Sequence, residues 1–205
     1  MIGETAVPYR VAAGAAEAEL KERGSRFLAV VRAASDERGA RALVEELRER
    51  FPDATHHCFA WRLGHPARER SSDDGEPAGT AGAPMLRVLR GADLSDVVAV
   101  VTRWFGGTKL GKGGLARAYS GALDLALARL PTASRVPIVR VRVEVPFERL
   151  GAIKALVRPP EITLEEEEYA DEEPWLVLRL ARRSLPELAE RLAAIGCRWT
   201  LSDGG

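Results

Sequence analysis

Basic residues and glycines lie close together in the middle of the chain, where their types and spacing suit the binding of an anion. Between positions 103 and 117 they are Arg103, Lys109, Lys112, Arg117, Gly106, Gly107, Gly111, Gly113 and Gly114. Glycine lets backbone N–H groups approach a ligand closely, and lysine brings a compact, mobile positive charge. The cluster therefore predicts contacts with phosphate groups.

The composition around this cluster supports the prediction. No acidic residue occurs from Val97 to Leu123, and Trp104 adds an aromatic side chain to the candidate surface. Only four of the thirty basic residues are lysines, and two of those four, Lys109 and Lys112, belong to the cluster. Glycines that served only a tight turn are the alternative, but a tight turn requires neither the lysines nor the absence of acids.

The stretch from Gly106 to Lys112 also fits the G-x-x-x-x-G-K spacing of a P-loop. In that motif a Ser or Thr follows the lysine and its hydroxyl binds magnesium, whereas this chain has Gly113 at that position. No strand that ends in an acidic residue follows to supply a second magnesium ligand. The sequence therefore disfavours nucleotide hydrolysis.

A polar loop earlier in the chain carries the second set of candidate residues, Arg70, Ser72, Asp73, Asp74 and Glu76. Three carboxylates beside a serine could bind magnesium or act as general acid and base. Asp-Asp-Gly is also ordinary turn chemistry, and the acids could pair with the basic residues of the glycine-rich loop. We expect the structural or ion-pairing role rather than catalysis.

His56, His57, Cys58 and His65 are the remaining candidate metal ligands. Adjacent residues of a strand point to opposite faces, and the chain has no C-x-x-C or H-x-x-x-H pair. We expect neither a bound metal nor a cofactor.

A strand before the glycine-rich loop and a helix after it must position these residues. Val97 to Thr102 is a β-branched apolar run typical of a central strand buried on both faces. The apolar spacing after the loop predicts a long helix that buries Leu115, Ala118, Tyr119, Ala122, Leu125 and Ala126. This order of elements would aim backbone N–H groups and the positive end of a helix at one spot.

The rest of the first half predicts more strands and two further helices. Strands are expected over 9–11, 16–20, 27–31 and 55–63, and helices over 37–51 and 80–90. The stretch from Gly64 to Gly79 shows no periodicity and is interpreted as a loop.

A proline-bounded stretch, Pro131 to Pro137, is interpreted as a linker between one domain of residues 1–133 and another of residues 134–205. The second domain shows strands and helices in the order βαββαβ, which indicates a ferredoxin-like plait. The predicted fold class is α+β with two domains, the first of them an α/β two-layer domain.

The composition excludes several classes of protein. Because the formal net charge is zero, any basic surface must be local. Two cysteines are too few for a disulfide framework. The first ten residues lack a signal-peptide pattern and no apolar run reaches membrane-spanning length, so we expect a cytoplasmic protein with no membrane partner.

Two stretches resemble the signature of the IMPACT family. They are VVTRWFGGTKLGKGGLARAY at 100–119 and RSSDDGEPAGTAGAP at 70–84. Residues 25–29 and 56–62 are similar as well, so the resemblance spans residues 25 to 130 in the right order. Trp104 stands where the family usually has tyrosine.

The resemblance implies an architecture and a class of partner. The first half of the chain would be similar to the second domain of a small-subunit ribosomal protein and to domain IV of elongation factor G. Its second half would be similar to domain V of that factor. Because these domains contact RNA on the ribosome, the resemblance implies RNA or the ribosome as partner, with a translation-associated protein as the other class.

Three hypotheses about function follow from these observations. The first is a non-enzymatic RNA- or ribosome-binding protein, with a role in translation regulation, that presents the glycine-rich loop to phosphates. The second is an enzyme for a small phosphorylated substrate that uses Asp73, Asp74 or Glu76. The third is a protein-interaction regulator. A steep salt dependence would indicate RNA, and a response to magnesium would indicate the enzyme.

Overall fold

The protein, described here by a computed structural model over residues 7–169 and 174–202, has two compact units. One comprises Tyr9–Arg135, and the other contains the described residues from Val136 onward. Both units combine helices with mostly antiparallel sheets, which confirms the predicted α+β class with two domains.

The first unit contains eight strands and three helices. Its strands are β1 (Tyr9–Ala12), β2 (Ala15–Glu22), β3 (Ser25–Ala33), β4 (His56–Leu63), β5 (Arg68–Ser72), β6 (Leu94–Ser95), β7 (Val97–Trp104) and β8 (Thr132–Arg135). Its helices are α1 (Glu37–Arg50), α2 (Gly82–Gly91) and α3 (Gly111–Leu127). Five strands form the main sheet in the order β2-β3-β7-β4-β5.

Strand β7 is the centre of this unit. Val97, Ala99 and Val101 pack with residues of α2 and α3, whereas Val98 and Val100 pack with residues of α1. The alternation follows from the pleat, which points successive side chains to opposite faces. Helices therefore cover both faces of the sheet, and the unit has three layers rather than the expected two.

Two short strands lie where the sequence predicts irregular structure. Strand β5 pairs with β4 inside the stretch interpreted as a loop, and β8 pairs with β1 inside the stretch interpreted as a linker. Both are poor in apolar side chains, so they lack the hydrophobic alternation by which strands are recognised. The chain between the two units is accordingly shorter than expected.

Helix α3 follows the predicted pattern with one exchange. Leu125 is 44% exposed, whereas Leu123 is buried in the core that the helix shares with β2 and β3. The other predicted core positions of this helix are buried as expected.

The second unit is a four-stranded antiparallel sheet with two helices. Its elements are β9 (Ile138–Glu144), α4 (Leu150–Lys154), β10 (Ile162–Glu168), β11 (Trp175–Ala181), α5 (Leu185–Ile195) and β12 (Arg198–Ser202). A 3-10 turn precedes each helix, at Phe147–Arg149 and Arg182–Ser184. The strand order β10-β11-β9-β12 is that of the predicted ferredoxin-like plait.

Within residues 7–169 and 174–202, no helix combines the length and the apolar character that crossing a membrane requires.

Candidate phosphate-binding site

The glycine-rich loop connects the end of β7 to the start of α3 and has a fixed backbone. Gly107 and Gly111 adopt positive φ values of 86° and 70°, which residues other than glycine rarely adopt. Gly106 packs directly on the turn between β2 and β3, where a Cβ at Gly106 would lie 1.9 Å from the carbonyl carbon of Gly24. Glycine is therefore required at position 106 by close backbone approach.

Two hydroxyl groups hold the first residues of the loop. The Thr55 Oγ1 accepts a hydrogen bond from the Phe105 N–H at 3.0 Å, and the buried Ser25 Oγ accepts one from the Gly106 N–H at 3.2 Å. The N–H groups of Phe105 and Gly106 are thus held by residues from two different parts of the chain. The start of the loop is therefore preorganised.

Three basic side chains of the candidate surface reach solvent. Lys109, Lys112 and Arg117 are exposed, as expected for the loop and the first turns of α3. None of the three forms an ion pair with another residue in the described part of the chain. Their charges are therefore available to an external anion.

The N-terminus of α3 is open to the same anion. Its N-cap position is Leu110, no side chain caps it, and its first turn contains no acidic residue. The first N–H groups of a helix lack partners within the helix and lie at the positive end of its dipole. Lys112 lies in this first turn, so backbone and side-chain donors converge.

Arg103 is not part of the exposed surface, contrary to the sequence-based expectation. The side chain is buried, because β7 alternation points it to the same face as Val101, beneath α3. Its Nη1 donates to the Glu76 Oε1 at 2.5 Å, and its Nη2 donates to the Ser25 Oγ at 3.3 Å. Arg103 therefore supports the loop from the protein interior, through the Ser25 hydroxyl that also binds the Gly106 N–H. The lysines carry the exposed charge.

Trp104 also faces away from the lysines. Its ring packs against Phe51 on the α1 side of the sheet, with the Arg26 guanidinium 4.3 Å from the ring centre. Its Nε1–H donates to the Asp53 Oδ2 at 2.9 Å. The structure thus places Trp104 at a different surface from Lys109 and Lys112.

Asp73 is the structural anchor of the acidic loop. Its Oδ1 accepts from the N–H groups of Ala81 and Gly82, at 2.9 and 2.8 Å, and its Oδ2 accepts from the Gly79 N–H at 2.8 Å. Partial burial disfavours the charged form, but the three donors outweigh it and lower the pKa of Asp73. Asp73 thereby caps the N-terminus of α2, at which the N-cap residue itself has no side-chain bond.

The Asp74 carboxylate binds helix α1 and strand β4. It adopts a positive φ of 42°, and its Oδ1 accepts from the Arg48 Nη2 at 2.8 Å. Its Oδ2 accepts from the His57 backbone N–H at 2.6 Å. The carboxylate therefore pairs with α1 rather than with the glycine-rich loop.

Glu76 connects the acidic loop to the two elements on either side of the glycine-rich loop, β7 and α3. Besides Arg103, its Oε1 accepts a hydrogen bond from the Tyr119 hydroxyl of α3 at 2.8 Å, and the His56 Nε2 lies 3.9 Å away. Glu76 therefore pairs with a basic residue, as the ion-pairing interpretation expects, but this residue lies on β7 and not in the glycine-rich loop. The pair joins the acidic loop to the strand that precedes the glycine-rich loop.

The remaining candidates do not form a nucleophilic site. The Ser72 Oγ accepts from the Asp74 N–H, and Arg70 lies on the Trp61 side of the sheet, 5.7 Å from that ring. Burial raises the pKa of the Cys58 thiol, whose Sγ donates to the Asp73 carbonyl at 3.0 Å. A protonated, hydrogen-bonded thiol is a weak nucleophile.

No group of three or more His, Cys, Asp or Glu side chains in the described part of the chain is arranged to hold a metal ion.

A cleft of about 380 Å³ opens beside the lysines. Its walls are Glu76, Pro77, Arg103, Phe105, Lys109, Leu110, Gly111, Lys112 and Leu115. Phe105 is the functional candidate that the sequence analysis missed. Phe105 is 48% exposed, and its position directly before the glycines was the available signal. The cleft thus combines an apolar wall with a cationic rim.

Comparison with known proteins identifies the family. Residues 23–127 match the Impact N-terminal domain. IMPACT family member YigZ of Escherichia coli (strain K12) is 42% identical over 136 residues, 65% of this chain and 67% of that protein. The IMPACT family member in pol 5'region of Thermus thermophilus is 43% identical over 156 residues, 76% of this chain and 84% of that protein.

A solved structure covers nearly the whole chain. A crystal structure described as that of a hypothetical protein is 31% identical, spans 97% of this chain and 98% of its own, and superposes with a TM-score of 0.75. The matched residues include the glycine-rich loop, the acidic loop and the cleft between them. The chain belongs to the IMPACT family.

Proposed function

We propose that this protein is a non-enzymatic RNA-binding protein that acts in translation regulation, on or near the ribosome. The observation that supports this most directly is the pair of exposed lysines, Lys109 and Lys112, at the uncapped N-terminus of α3. Such an arrangement binds phosphate through charge and backbone donors together. The place in translation rests on the resemblance of both units to RNA-contacting domains of an elongation factor.

The distribution of charge favours a local contact over a general one. The chain is neutral overall, so its long-range attraction to nucleic acid is weak, and binding must come from the local basic surface. Exposed lysines release counterions when they contact phosphates, which makes affinity depend on salt. Arg117 lies five residues beyond Lys112, about 140° further around α3, and lines a separate groove with Leu20, Glu22 and Arg23, so it adds positive charge nearby but does not line the cleft of the two lysines.

The acidic loop gives little support to catalysis. Asp73 and Asp74 are occupied by backbone N–H groups and by Arg48, and Glu76 is paired with Arg103. These hydrogen bonds and ion pairs give each of the three carboxylates a structural role. One observation favours the alternative of an enzyme, namely that Glu76 lines the cleft beside the lysines.

Charge reversal tests the proposal. Lys109→Glu combined with Lys112→Glu should weaken binding of single-stranded RNA strongly at low salt, because each glutamate also repels the backbone phosphates. The matched control is Arg38→Glu combined with Arg41→Glu, which makes the same change in net charge on α1, across the sheet from α3.

Fluorescence anisotropy with labelled RNA measures the effect, and the melting temperature checks that both double variants remain folded. The proposal predicts a large loss of affinity in the lysine variant and a small one in the α1 control. Equal losses in the two variants would mean that net charge, not the loop, governs binding. Turnover of a small phosphorylated compound that depends on magnesium would favour the enzyme instead.

A further inference from the structure

Phe105 lies in the cleft next to Lys109 and Lys112, and much of its side chain is exposed to solvent. Phe105 is 48% exposed although its backbone N–H is bound by the Thr55 hydroxyl. The neighbouring Gly106 packs against Gly24, which constrains the backbone next to Phe105. The fold therefore holds the Phe105 backbone in place and leaves the residue about half exposed.

The floor of the cleft contains a polar group without a partner. The Nε–H of Arg103 is buried, and no residue in the described ranges accepts a hydrogen bond from it. The guanidinium centre lies 5.4 Å from the centre of the Phe105 ring. Buried donors are normally satisfied, so an unpaired donor on a residue that lines a cleft marks this cleft as a candidate ligand site.

A ligand that carries both a planar ring and a phosphate matches the chemistry of this cleft. Lys109 and Lys112 form the rim of the cleft with the start of α3, while Phe105, Pro77 and Leu115 supply apolar surface. A volume of about 380 Å³ is at the small end of ligand sites and suits a single nucleotide unit rather than a duplex. Bases in an A-form duplex are stacked inside it and cannot reach such a cleft.

We infer that Phe105 stacks one unpaired base of an RNA strand whose phosphate is held by Lys109 and Lys112. This inference rests on the proposed RNA-binding function and adds a requirement for single-stranded RNA. Every base has a π face, so stacking on phenylalanine tolerates any sequence. The unpaired Arg103 Nε–H belongs to a residue that lines the same cleft.

Two substitutions of Phe105 separate stacking from simple apolar contact. Phe105→Leu keeps apolar volume but removes the π face, whereas Phe105→Trp enlarges the π face. The two variants are compared with the wild type on three ligands, namely oligouridylate, an abasic oligomer with the same sugar–phosphate backbone, and duplex RNA of matched length. Melting temperatures confirm that the variants fold.

The inference predicts that Phe105→Leu weakens oligouridylate binding by about 5-fold or more, which is the loss expected for one stacked base. Affinity for the abasic oligomer should not change, and Phe105→Trp should bind oligouridylate at least as tightly as the wild type. The wild type should also prefer oligouridylate to the duplex.

Three other results would contradict it. If Phe105→Leu leaves oligouridylate affinity unchanged while the lysine reversal abolishes it, the base contact is wrong and the proposed function stands. If Phe105→Leu weakens oligouridylate and the abasic oligomer equally, the ring only supports the loop. If the wild type binds none of the three ligands, the proposed function fails and the base contact fails with it.

Discussion

Arg103 is a charged side chain that the fold uses as part of its core. Its pair with Glu76 is almost fully enclosed, with both side chains buried, and it joins β7, the acidic loop and α3 through Tyr119. Removing one partner of a buried pair leaves an uncompensated charge, which is far more costly than losing a surface pair.

We therefore expect Glu76→Gln to lower the free energy of unfolding by about 3–5 kcal/mol. Tyr119→Phe removes one hydrogen bond to the same carboxylate and should cost only about 0.5–1.5 kcal/mol. Urea denaturation of both variants gives the comparison. A cost for Glu76→Gln no larger than that of Tyr119→Phe would show that the pair is not a major source of stability.

Asp73 gives the protein a predictable dependence on acid. Its pKa is lower in the folded chain than in the unfolded chain, so its ionised form stabilises the fold at neutral pH. This stabilisation is fully present above the unfolded pKa of about 4 and is lost as the pH falls through the lower folded pKa.

The variant Asp73→Asn should be less stable than the wild type by roughly 0.5–2 kcal/mol at neutral pH, the range for the loss of a helix cap. The difference in free energy of unfolding should stay constant from about pH 7 to pH 5 and shrink below about pH 4. Urea denaturation at several pH values measures it. A difference that grows on acidification would contradict the assigned role of the carboxylate.

Among the structural elements, the segment β7, glycine-rich loop and α3 is positioned by contact with the turn between β2 and β3. Gly106 and Gly24 touch through their backbones, and Gly113 has open space apart from the Arg117 side chain 3.4 Å from its Cβ position. The two glycines therefore differ in what an added methyl group would do.

Gly106→Ala should destabilise the protein by about 1–3 kcal/mol, because the backbone must shift to accept the methyl group. It should also weaken RNA binding, since the shift moves the lysines. Gly113→Ala, within the first turn of α3, should be neutral or stabilising by up to about 1 kcal/mol. Thermal denaturation and anisotropy of both variants test this, and equal effects at the two positions would refute it.

The sequence predicts some of these elements better than others for physical reasons. Buried strands such as β7 and amphipathic helices such as α3 are predicted by their long apolar patterns. Strands β5 and β8 are held by backbone pairing at exposed edges, which leaves no such pattern. Strand periodicity could have shown that Arg103 continues the row of Val101, but no local signal identifies Glu76 as its partner.

At the scale of the whole molecule, the two units have separate cores. The first closes its small sheet by pairing β8 with β1, and Arg135 of β8 forms an ion pair with the buried Asp96. A fragment that ends before β8 leaves β1 paired only with the two residues of β6.

We expect residues 1–135 to fold alone, because every strand and helix of the first unit lies within them. A fragment of residues 1–131 should melt at a lower temperature, since it lacks β8. Circular dichroism during heating compares the two fragments. Identical melting temperatures would mean that β8 adds nothing to the first unit, and an unfolded longer fragment would mean that the units depend on each other.

The central claim is that Lys109 and Lys112 each contact a phosphate of single-stranded RNA, and its most direct test is the salt dependence of affinity. Each lost contact should flatten the plot of log affinity against log salt concentration by about 0.7 for a single strand. Lys109→Gln combined with Lys112→Gln removes both charges without adding repulsion. The slope for this variant should be shallower than that of the wild type by about 1.4. Equal slopes would contradict it.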